Sequence, residues 1–460
     1  MEQFARTLEK AGSRYWGQYF INQFYIKVFT GKHRNDVPEY DFDKNNFSDE
    51  QQEALQRENY VALYHEYIHY VHEMSTMAGT TGFYYDMIRM AIFTAYVDVP
   101  HSSRFLGIGD AQIQLYDRLS HTLTAVYGSG EAELAGRTIL SVEKIELIKF
   151  KGYAPGEDEP MNMLIPMLYY QYFDQNLNRY EKDTILLGKY YVYEGLAHAL
   201  DQLVAEQLGR SLENAPGSEY KVLALLKKWL APDLDYRSFL EVASLSLSYW
   251  DAGHQCYRML KEAGEAKEPA AYLAAEKELV QRLLRESLGG FEETLDYIRD
   301  IFRQRDALFV AVAHLTEKMK AGFRARIENP VFEVDVTYSG HTRRMNEYVP
   351  LCDYMYVFED NERYMRDFLG THLDHDTSFD LKIFLCLMDY FSTETKGIDD
   401  HACPLFTSCN YKFRQDHSHI CGHQPRLSFD RYQKEEGYCP YSLAIGYTKG
   451  QDRPDQIKGN

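Results

Sequence analysis

The residues of this chain that are best suited to chemistry form an H-E-x-x-H pattern at His65, Glu66 and His69. Residues four apart on an α-helix lie one above the other, so the two imidazoles project from the same face. Two imidazoles at this spacing bind one Zn²⁺ together, and the carboxylate of Glu66 lies within reach of a metal-bound water. The metal polarises the water and the carboxylate accepts its proton. The pattern therefore predicts metal-assisted hydrolysis with Glu66 as the general base.

The surroundings of this pattern favour a buried helix. Apolar and aromatic residues occur throughout the stretch, namely Tyr60, Val61, Leu63, Tyr64, Ile68, Tyr70 and Val71. The alternative is that the two histidines are ordinary core or surface residues of a helix. A solvated helix would carry fewer apolar residues, so the motif is expected on a buried helix. This context favours a metal site over two ordinary histidines.

A second stretch with spaced polar residues lies on a predicted helix that ends at Gly209. Glu194, His198 and Asp201 fall at positions i, i+4 and i+7 of this helix, and hence on one face. A carboxylate and an imidazole that are buried without partners are costly, and a metal held by the first helix would compensate them. His198 and Asp201 either orient a zinc-binding imidazole or hold a substrate carbonyl, or they form a hydrogen-bonded pair that braces helix packing.

Taken together, the pattern at His65 and His69 and the downstream Glu194, in the sequence Glu-Gly-Leu-Ala, resemble the gluzincin group of zinc metallopeptidases. In that group, a Glu on a second helix is the third zinc ligand. The resemblance covers two short helices. It implies a zincin-like core, a catalytic Zn²⁺ held by His65, His69 and Glu194, and hydrolysis of peptide bonds.

Some choices stay open within this interpretation. The separation between the two motifs is longer than in the best-known gluzincins, so other third ligands are conceivable, namely His72, Glu73 and Asp86. The catalytic group that donates to the developing oxyanion is expected among His198, Tyr190 and Tyr191.

Two other classes of protein are compatible with the same residues. Glu66-x-x-His69 satisfies the Glu-x-x-His pattern of di-iron carboxylate proteins, which would make the chain a non-haem iron oxidoreductase. A di-iron bundle needs a second such pair, and the spacing from Glu194 to His198 is one residue too long. The other alternative is a catalytically inactive, zinc-binding interaction protein.

The composition limits the partners and the compartment. The 460 residues are 45% hydrophobic and 26% charged, as in a globular protein of two or three domains. A net charge of −19 argues against a nucleic-acid or anionic-membrane partner. No signal peptide or membrane span is evident, so we expect a cytoplasmic protein with reduced cysteines. The expected partners are a protein or peptide substrate and, because no propeptide is evident, a regulatory partner.

Local patterns predict an α+β fold that is predominantly α-helical. Strands are expected over residues 14–30 and 137–151. A capping box at residues 48–51 opens the motif helix, which the Gly79–Gly82 segment should end, before a second helix over residues 83–97.

Further patterns are expected along the rest of the chain. Residues 161–180 should be helical, and residues 210–325 should form a helical scaffold with a break at Gly289-Gly290. Residues 331–338 alternate like a strand.

We divide the chain into three regions: a zincin-like catalytic region at 1–210, a helical scaffold at 211–328, and an α/β region rich in Cys and His at 329–460. The last region contains four closely spaced cysteines, namely Cys403, Cys409, Cys421 and Cys439. Such a group in an intracellular chain indicates a structural Zn²⁺ more often than disulfides. An iron–sulfur cluster or four unrelated thiols are the alternatives.

Overall fold

A computed structural model of the chain describes residues 16–20, 24–29, 49–96, 110–129, 137–153, 159–209, 218–303, 306–352, 356–358, 370–371, 375–398, 400–405, 419–429 and 439–448. These residues form an α+β fold that is mainly helical, as the sequence predicts. In the part of the chain covered by these ranges, no helix combines the length and the apolar composition that crossing a membrane requires.

The helices are α1 (Asp49–Ser75), α2 (Met77–Tyr96), α3 (Asp110–Tyr127), α4 (Lys189–Gln207), α5 (Glu219–Leu230), α6 (Tyr236–Ser246), α7 (Ala252–Glu265), α8 (Pro269–Ile301), α9 (Asp306–Glu328), α10 (Phe332–Tyr338), α11 (Met345–Tyr348), α12 (His375–Lys396) and α13 (Pro440–Thr448). The strands are β1 (Trp16–Phe20), β2 (Tyr25–Phe29), β3 (Arg137–Gly152), β4 (Met161–Asp174), β5 (Arg179–Leu186), β6 (Leu351–Cys352), β7 (Tyr356–Phe358) and β8 (Gly370–Thr371).

The strands that the structure describes form three small sheets. In the first, β2 pairs antiparallel with β1 and parallel with β7. The second is an antiparallel meander in which β4 lies between β3 and β5, with Ile148 opposite Ile165. Strands β6 and β8 form a short parallel pair. The strands expected over residues 14–30 are therefore confirmed in the described part of that stretch, and the strand character expected over residues 137–151 is confirmed.

Helix α1, which carries the H-E-x-x-H pattern, is a central element of the core. Every side chain from Val61 to Thr76 is buried, because the helix packs against α2, α4, α9, β1 and β2. A helix that is enclosed in this way needs apolar or hydrogen-bonded side chains on all its faces. This requirement explains the mixture of aliphatic, aromatic and histidine residues in its sequence.

Tyrosine hydroxyls attach α1 to the segment that follows α9. Tyr64 shares a 2.6 Å hydrogen bond with the Thr337 hydroxyl of α10, and Tyr67 donates to the Val349 carbonyl oxygen at 2.6 Å. Each ring thus fills apolar space while its hydroxyl is satisfied by a distant part of the chain. Such long-range contacts fix the position of α1 within the core.

The prediction of a helix over residues 161–180 is wrong, because this segment forms β4 and the beginning of β5. The side chains of Leu168, Tyr170 and Tyr172 are buried at every second position, as one face of a strand requires. Between the strands, the Asp174 carboxylate accepts hydrogen bonds from two turn amides, and Asn178 has a φ of 50°. The turn residues and the pairing with β3 outweigh any helical tendency of the segment.

The strand expected over residues 331–338 is also wrong, because these residues form α10. In the helix, Phe332 and Val336 face the core one turn apart, while Glu333 and Thr337 meet buried polar partners. The Asn329 side chain accepts a hydrogen bond from the Val331 amide as the helix begins. These tertiary contacts override the alternating pattern.

Glycines interrupt neither of the helices that they were expected to end. The motif helix α1 ends at Ser75, before these glycines, and the expected second helix is present as α2, which begins at Met77 and continues through Gly79 and Gly82. Helix α8 continues through Gly289 and Gly290. A Cβ at Gly79 would lie 2.5 Å from the Glu73 carbonyl oxygen, so this glycine allows close packing.

Three further expectations concern the helical scaffold, the capping box and the division into domains. The mainly helical character expected for 210–325 is confirmed in its described residues. Ser48 of the expected capping box lies outside the described residues. One buried apolar cluster includes residues from all three regions, such as Tyr64, Leu260 and Phe384. The division into three domains stays a prediction.

A fully buried charged network braces α1 near its C-terminal end. The Arg326 guanidinium lies 3.2 Å from the Glu333 carboxylate and donates to the Ser75 hydroxyl at 3.0 Å. The His72 imidazole lies 3.5 Å from the same carboxylate. Burial would raise the pKa of Glu333, but Arg326 and His72 outweigh this effect and lower it to about 2. Glu333 is therefore ionised, and its charge depends on these partners.

We predict that Glu333→Gln destabilises the protein by about 3–5 kcal/mol, because it leaves a buried guanidinium without its counter-charge. Denaturant unfolding of the two proteins at neutral pH measures this difference. Glu347→Gln is the matched control, because the Arg344–Glu347 pair is exposed and should change stability by less than about 1 kcal/mol. Equal stability of the Glu333 variant and the wild type would show that the network contributes little.

Candidate metal centre

Helices α1 and α4 run antiparallel and exchange polar contacts at three successive levels. His65 contacts Asp201, both motif histidines contact Glu194, and Glu73 contacts Lys189. The residue numbers of the contacting side chains increase along α1 while those of their partners decrease along α4, as expected for two antiparallel helices. The contacting residues are four apart on α1, and Glu194 and Asp201 are seven apart on α4, so these side chains lie on one face of each helix and the two faces meet.

The middle level brings three candidate metal ligands together. The Nε2 atoms of His65 and His69 are 3.1 Å apart, and the Oε2 atom of Glu194 lies 3.7 Å and 3.5 Å from them. In the part of the chain that the structure describes, these residues form the one group of three His, Cys, Asp or Glu side chains whose ligand atoms all lie within 4.8 Å of one another. The predicted ligands are thus adjacent in space.

The outer nitrogen of His65 is held by a carboxylate. Its Nδ1 atom lies 2.8 Å from Oδ2 of Asp201, so the Nε2 atom faces Glu194 and His69. Carboxylates that bind the second ring nitrogen fix the orientation and the tautomer of metal-binding histidines. The other oxygen of Asp201 lies 3.4 Å from Nδ1 of His198, so Asp201 connects both histidines.

The electrostatics of this group favour a bound cation. Burial would lower the pKa of His65, but hydrogen bonds to Asp201 and Glu194 and the charge of Glu66 raise it well above its usual value. Burial would raise the pKa of Glu194, but His69 and His65 outweigh it and hold this pKa well below its usual range. Three carboxylates around two imidazoles thus attract positive charge, which either protons or a metal ion supplies. The donor set fits Zn²⁺, which is bound by imidazole and carboxylate.

The Glu66 carboxylate lies beside the three candidate ligands and does not belong to their group. Its pKa is raised to about 7, mainly by burial, although His65 and His69 act in the opposite direction. The backbone amide of Tyr19, in β1, donates a hydrogen bond to it. The Tyr19 ring also stacks against His69 with centroids 6.0 Å apart, so β1 borders the site. A buried carboxylate whose pKa is near neutrality is suited to accepting and releasing a proton.

Tyr220, at the start of α5, is a residue of the site that the sequence did not reveal. Its ring centroid lies 5.6 Å from that of His65 and 4.9 Å from that of His198. Burial, followed by the charge of Glu194, raises the pKa of Tyr220 well above its usual value, so its hydroxyl is a donor. With 38 tyrosines in the chain, no local signal distinguishes this one.

The alternative third ligands lie next to other partners. His72 contacts Glu333, Glu73 contacts Lys189, and Asp86 pairs with Arg89. Of the aromatic candidates for oxyanion stabilisation, Tyr191 is buried in the hydrophobic core. Tyr190 lies one turn before Glu194 on α4 and stays a candidate.

The predicted C-terminal metal site is only partly within the described residues. Cys403, Cys421 and Cys439 are buried there, and the Cys403 amide donates to the Cys421 carbonyl oxygen at 2.8 Å. Within the described ranges, they do not join any group of three ligands within 4.8 Å. Cys409 lies outside these ranges. A structural zinc held by the four cysteines therefore stays a prediction.

Comparison of the chain with known proteins gives no relative. No protein-family model matches it, and neither does any curated protein sequence or solved structure.

We predict one zinc ion at the site of His65, His69 and Glu194. His65→Ala and His69→Ala should each abolish tight binding, and Asp201→Asn should weaken it by about 10–100-fold because the orientation of His65 is lost. Zinc content after dialysis and competition with a chromophoric chelator measure both effects.

His121→Ala is the control for these variants, because His121 is exposed on α3. Wild-type zinc affinity in the His65 and His69 variants would contradict the assignment. If the wild type binds two zinc ions and these variants bind one, the retained ion would indicate a second site, as the C-terminal cysteines predict.

Proposed function

We propose that the chain is a zinc-dependent metallopeptidase, with a zincin-like core, that hydrolyses peptide bonds of a protein or peptide substrate. The proposal is carried by one observation: Glu194 lies within 3.7 Å of both motif histidines while Glu66 lies beside them. The Glu194 side chain is 17% exposed, so the centre is accessible from solvent although its histidines are buried.

His65, His69 and Glu194 would hold the zinc ion. When bound, zinc supplies a positive charge that polarises the attacking water and the substrate carbonyl. Asp201 orients His65 through its Nδ1 atom, so the ligand geometry is set before substrate arrives.

The protein moves the proton through Glu66. As the water attacks the scissile carbonyl carbon, the Glu66 carboxylate accepts the proton, and it then delivers this proton to the amine that leaves. Burial raises the pKa of Glu66, which makes its carboxylate a stronger base for this transfer. The amide of Tyr19 holds the carboxylate in place.

Negative charge on the substrate oxygen requires a donor. Tyr220 and His198 border the site from the side of α5 and α4, with their rings 4.9 Å apart. The Tyr220 hydroxyl stays protonated because burial and the nearby carboxylates raise its pKa. A fixed donor of this kind stabilises the charge that develops in the transition state more than the neutral carbonyl of the substrate.

The principal alternative is a non-haem iron oxidoreductase, since two histidines and one carboxylate also bind ferrous iron. A di-iron centre needs a second set of ligands, and the described residues contain one group of three. The position of Glu66 favours the hydrolase, because an acid–base group next to the ligands serves proton transfer. Metal analysis of the purified protein separates these alternatives, with zinc expected. A zinc-binding protein without activity would contain zinc and cleave no peptide.

We predict that Glu66→Gln retains zinc and lowers kcat by about 10²–10⁴-fold, because the amide cannot accept the proton. Cleavage of a mixed library of fluorogenic peptides measures turnover, and zinc content is determined in parallel. Glu206→Gln, an exposed change on α4, is the matched control. Turnover by the Glu66 variant at the wild-type rate would rule out this carboxylate as the base.

We predict that Tyr220→Phe lowers kcat by about 10²-fold with little change in KM or in zinc affinity, because the hydroxyl acts mainly in the transition state. Steady-state kinetics on one cleaved peptide measure both constants. Tyr297→Phe, at an exposed position of α8, is the control. An unchanged kcat in the Tyr220 variant would assign the donor role to another group, such as His198.

A further inference from the structure

The third level of contact between α1 and α4 is an ion pair that the proposed chemistry does not use. The ammonium of Lys189 lies 3.0 Å from Oε1 of Glu73 and 3.2 Å from the Ala78 carbonyl oxygen. Both side chains are fully buried, which would be costly for two charges without good hydrogen-bonding geometry. Burial of this kind is a weak source of stability, and it fixes the relative positions of the groups that it joins.

This pair lies close to the metal ligands along both helices. Glu73 follows His69 by one helical turn on the same face of α1. Lys189 precedes Glu194 by five residues on α4, which is about 7.5 Å along the helix axis. A shift of α4 along α1 would therefore break the ion pair and would move Glu194 away from the histidines at the same time.

The surroundings are shaped to receive the ammonium. A Cβ at Gly82 would lie 2.5 Å from the Nζ atom of Lys189, so α2 provides space for it only through a glycine. The ammonium lies 4.1 Å from the ring centroid of Tyr127 and 5.3 Å from that of Tyr193, at distances where aromatic faces attract cations. Tyr193 directly precedes Glu194, and its ring lies 6.4 Å from that of His69.

We propose that Lys189 and Glu73 are positioning residues that set the register of α4 on α1 and so hold Glu194 between His65 and His69. This inference rests on the proposed metal site and extends it to residues that touch neither metal nor substrate. The directional hydrogen bonds of the ammonium fix one register, whereas apolar side chains of similar size would permit several. Loss of the pair should therefore reduce metal affinity even where stability is kept.

The test is the double variant Glu73→Met with Lys189→Met. Replacing both partners of a buried ion pair by apolar residues is often neutral for stability. We expect the variant to fold, to bind zinc at least about tenfold more weakly than the wild type, and to give an altered visible absorption spectrum with Co²⁺. The matched control replaces the Arg258–Glu276 pair, which joins α7 to α8, by two methionines and should leave zinc affinity unchanged.

A folded double variant with wild-type zinc affinity and a wild-type Co²⁺ spectrum would overturn the proposal. If the double variant does not fold, Glu73→Gln combined with Lys189→Met decides the question, because it leaves no buried charge unpaired and the amide keeps the shape of the Glu73 side chain. It should bind zinc about threefold to tenfold more weakly, and wild-type affinity would equally overturn the proposal.

These measurements separate the positioning role from the peptidase activity, since they use no turnover. A wild-type protein that binds zinc and cleaves no peptide would refute the hydrolase and leave the positioning role in place. A wild-type protein that binds no metal ion would refute both.

Discussion

The contact of one largely buried carboxylate with two imidazoles is the interaction on which the arrangement of this protein depends. Glu194 keeps its negative charge in this largely enclosed position because His65 and His69 lie 3.7 Å and 3.5 Å from it. The antiparallel packing of α1 and α4 creates this contact, with Asp201 at one end and the Lys189–Glu73 pair at the other. Three polar contacts at successive levels leave the two helices a single favourable register.

The remainder of the fold holds α1 where this register can form. Arg326 and Glu333 hold the helix on one side through Ser75, and tyrosine hydroxyls attach it to the segment that follows α9. Strand β1 brings the Tyr19 ring against His69 and the Tyr19 amide against Glu66. Burial of α1 excludes water from the two histidines, and the same burial raises the pKa of Glu66 towards neutrality. The packing of the helix therefore also sets the basicity of this carboxylate.

The sequence predicts those parts of the site that local spacing determines. Residues four apart on a helix must share a face, so the pairing of His65 with His69 follows from the pattern alone, whereas Glu194 required the resemblance to gluzincins. Tyr220 and the backbone amide of Tyr19 could not be predicted, because their proximity arises from tertiary packing without a local motif. The same limit explains the wrong assignments of 161–180 and 331–338, where strand pairing and a buried charge outweigh local preference.

The most direct measurement of the central claim is X-ray absorption at the zinc edge, on protein loaded with one equivalent of zinc. A centre made by His65, His69 and Glu194 predicts nitrogen and oxygen neighbours at about 2.0–2.2 Å, with the multiple scattering of two imidazoles. Substitution of both histidines by alanine should remove this signal. Sulfur neighbours at about 2.3 Å, or an unchanged spectrum without the two histidines, would contradict the claim that this centre binds the metal.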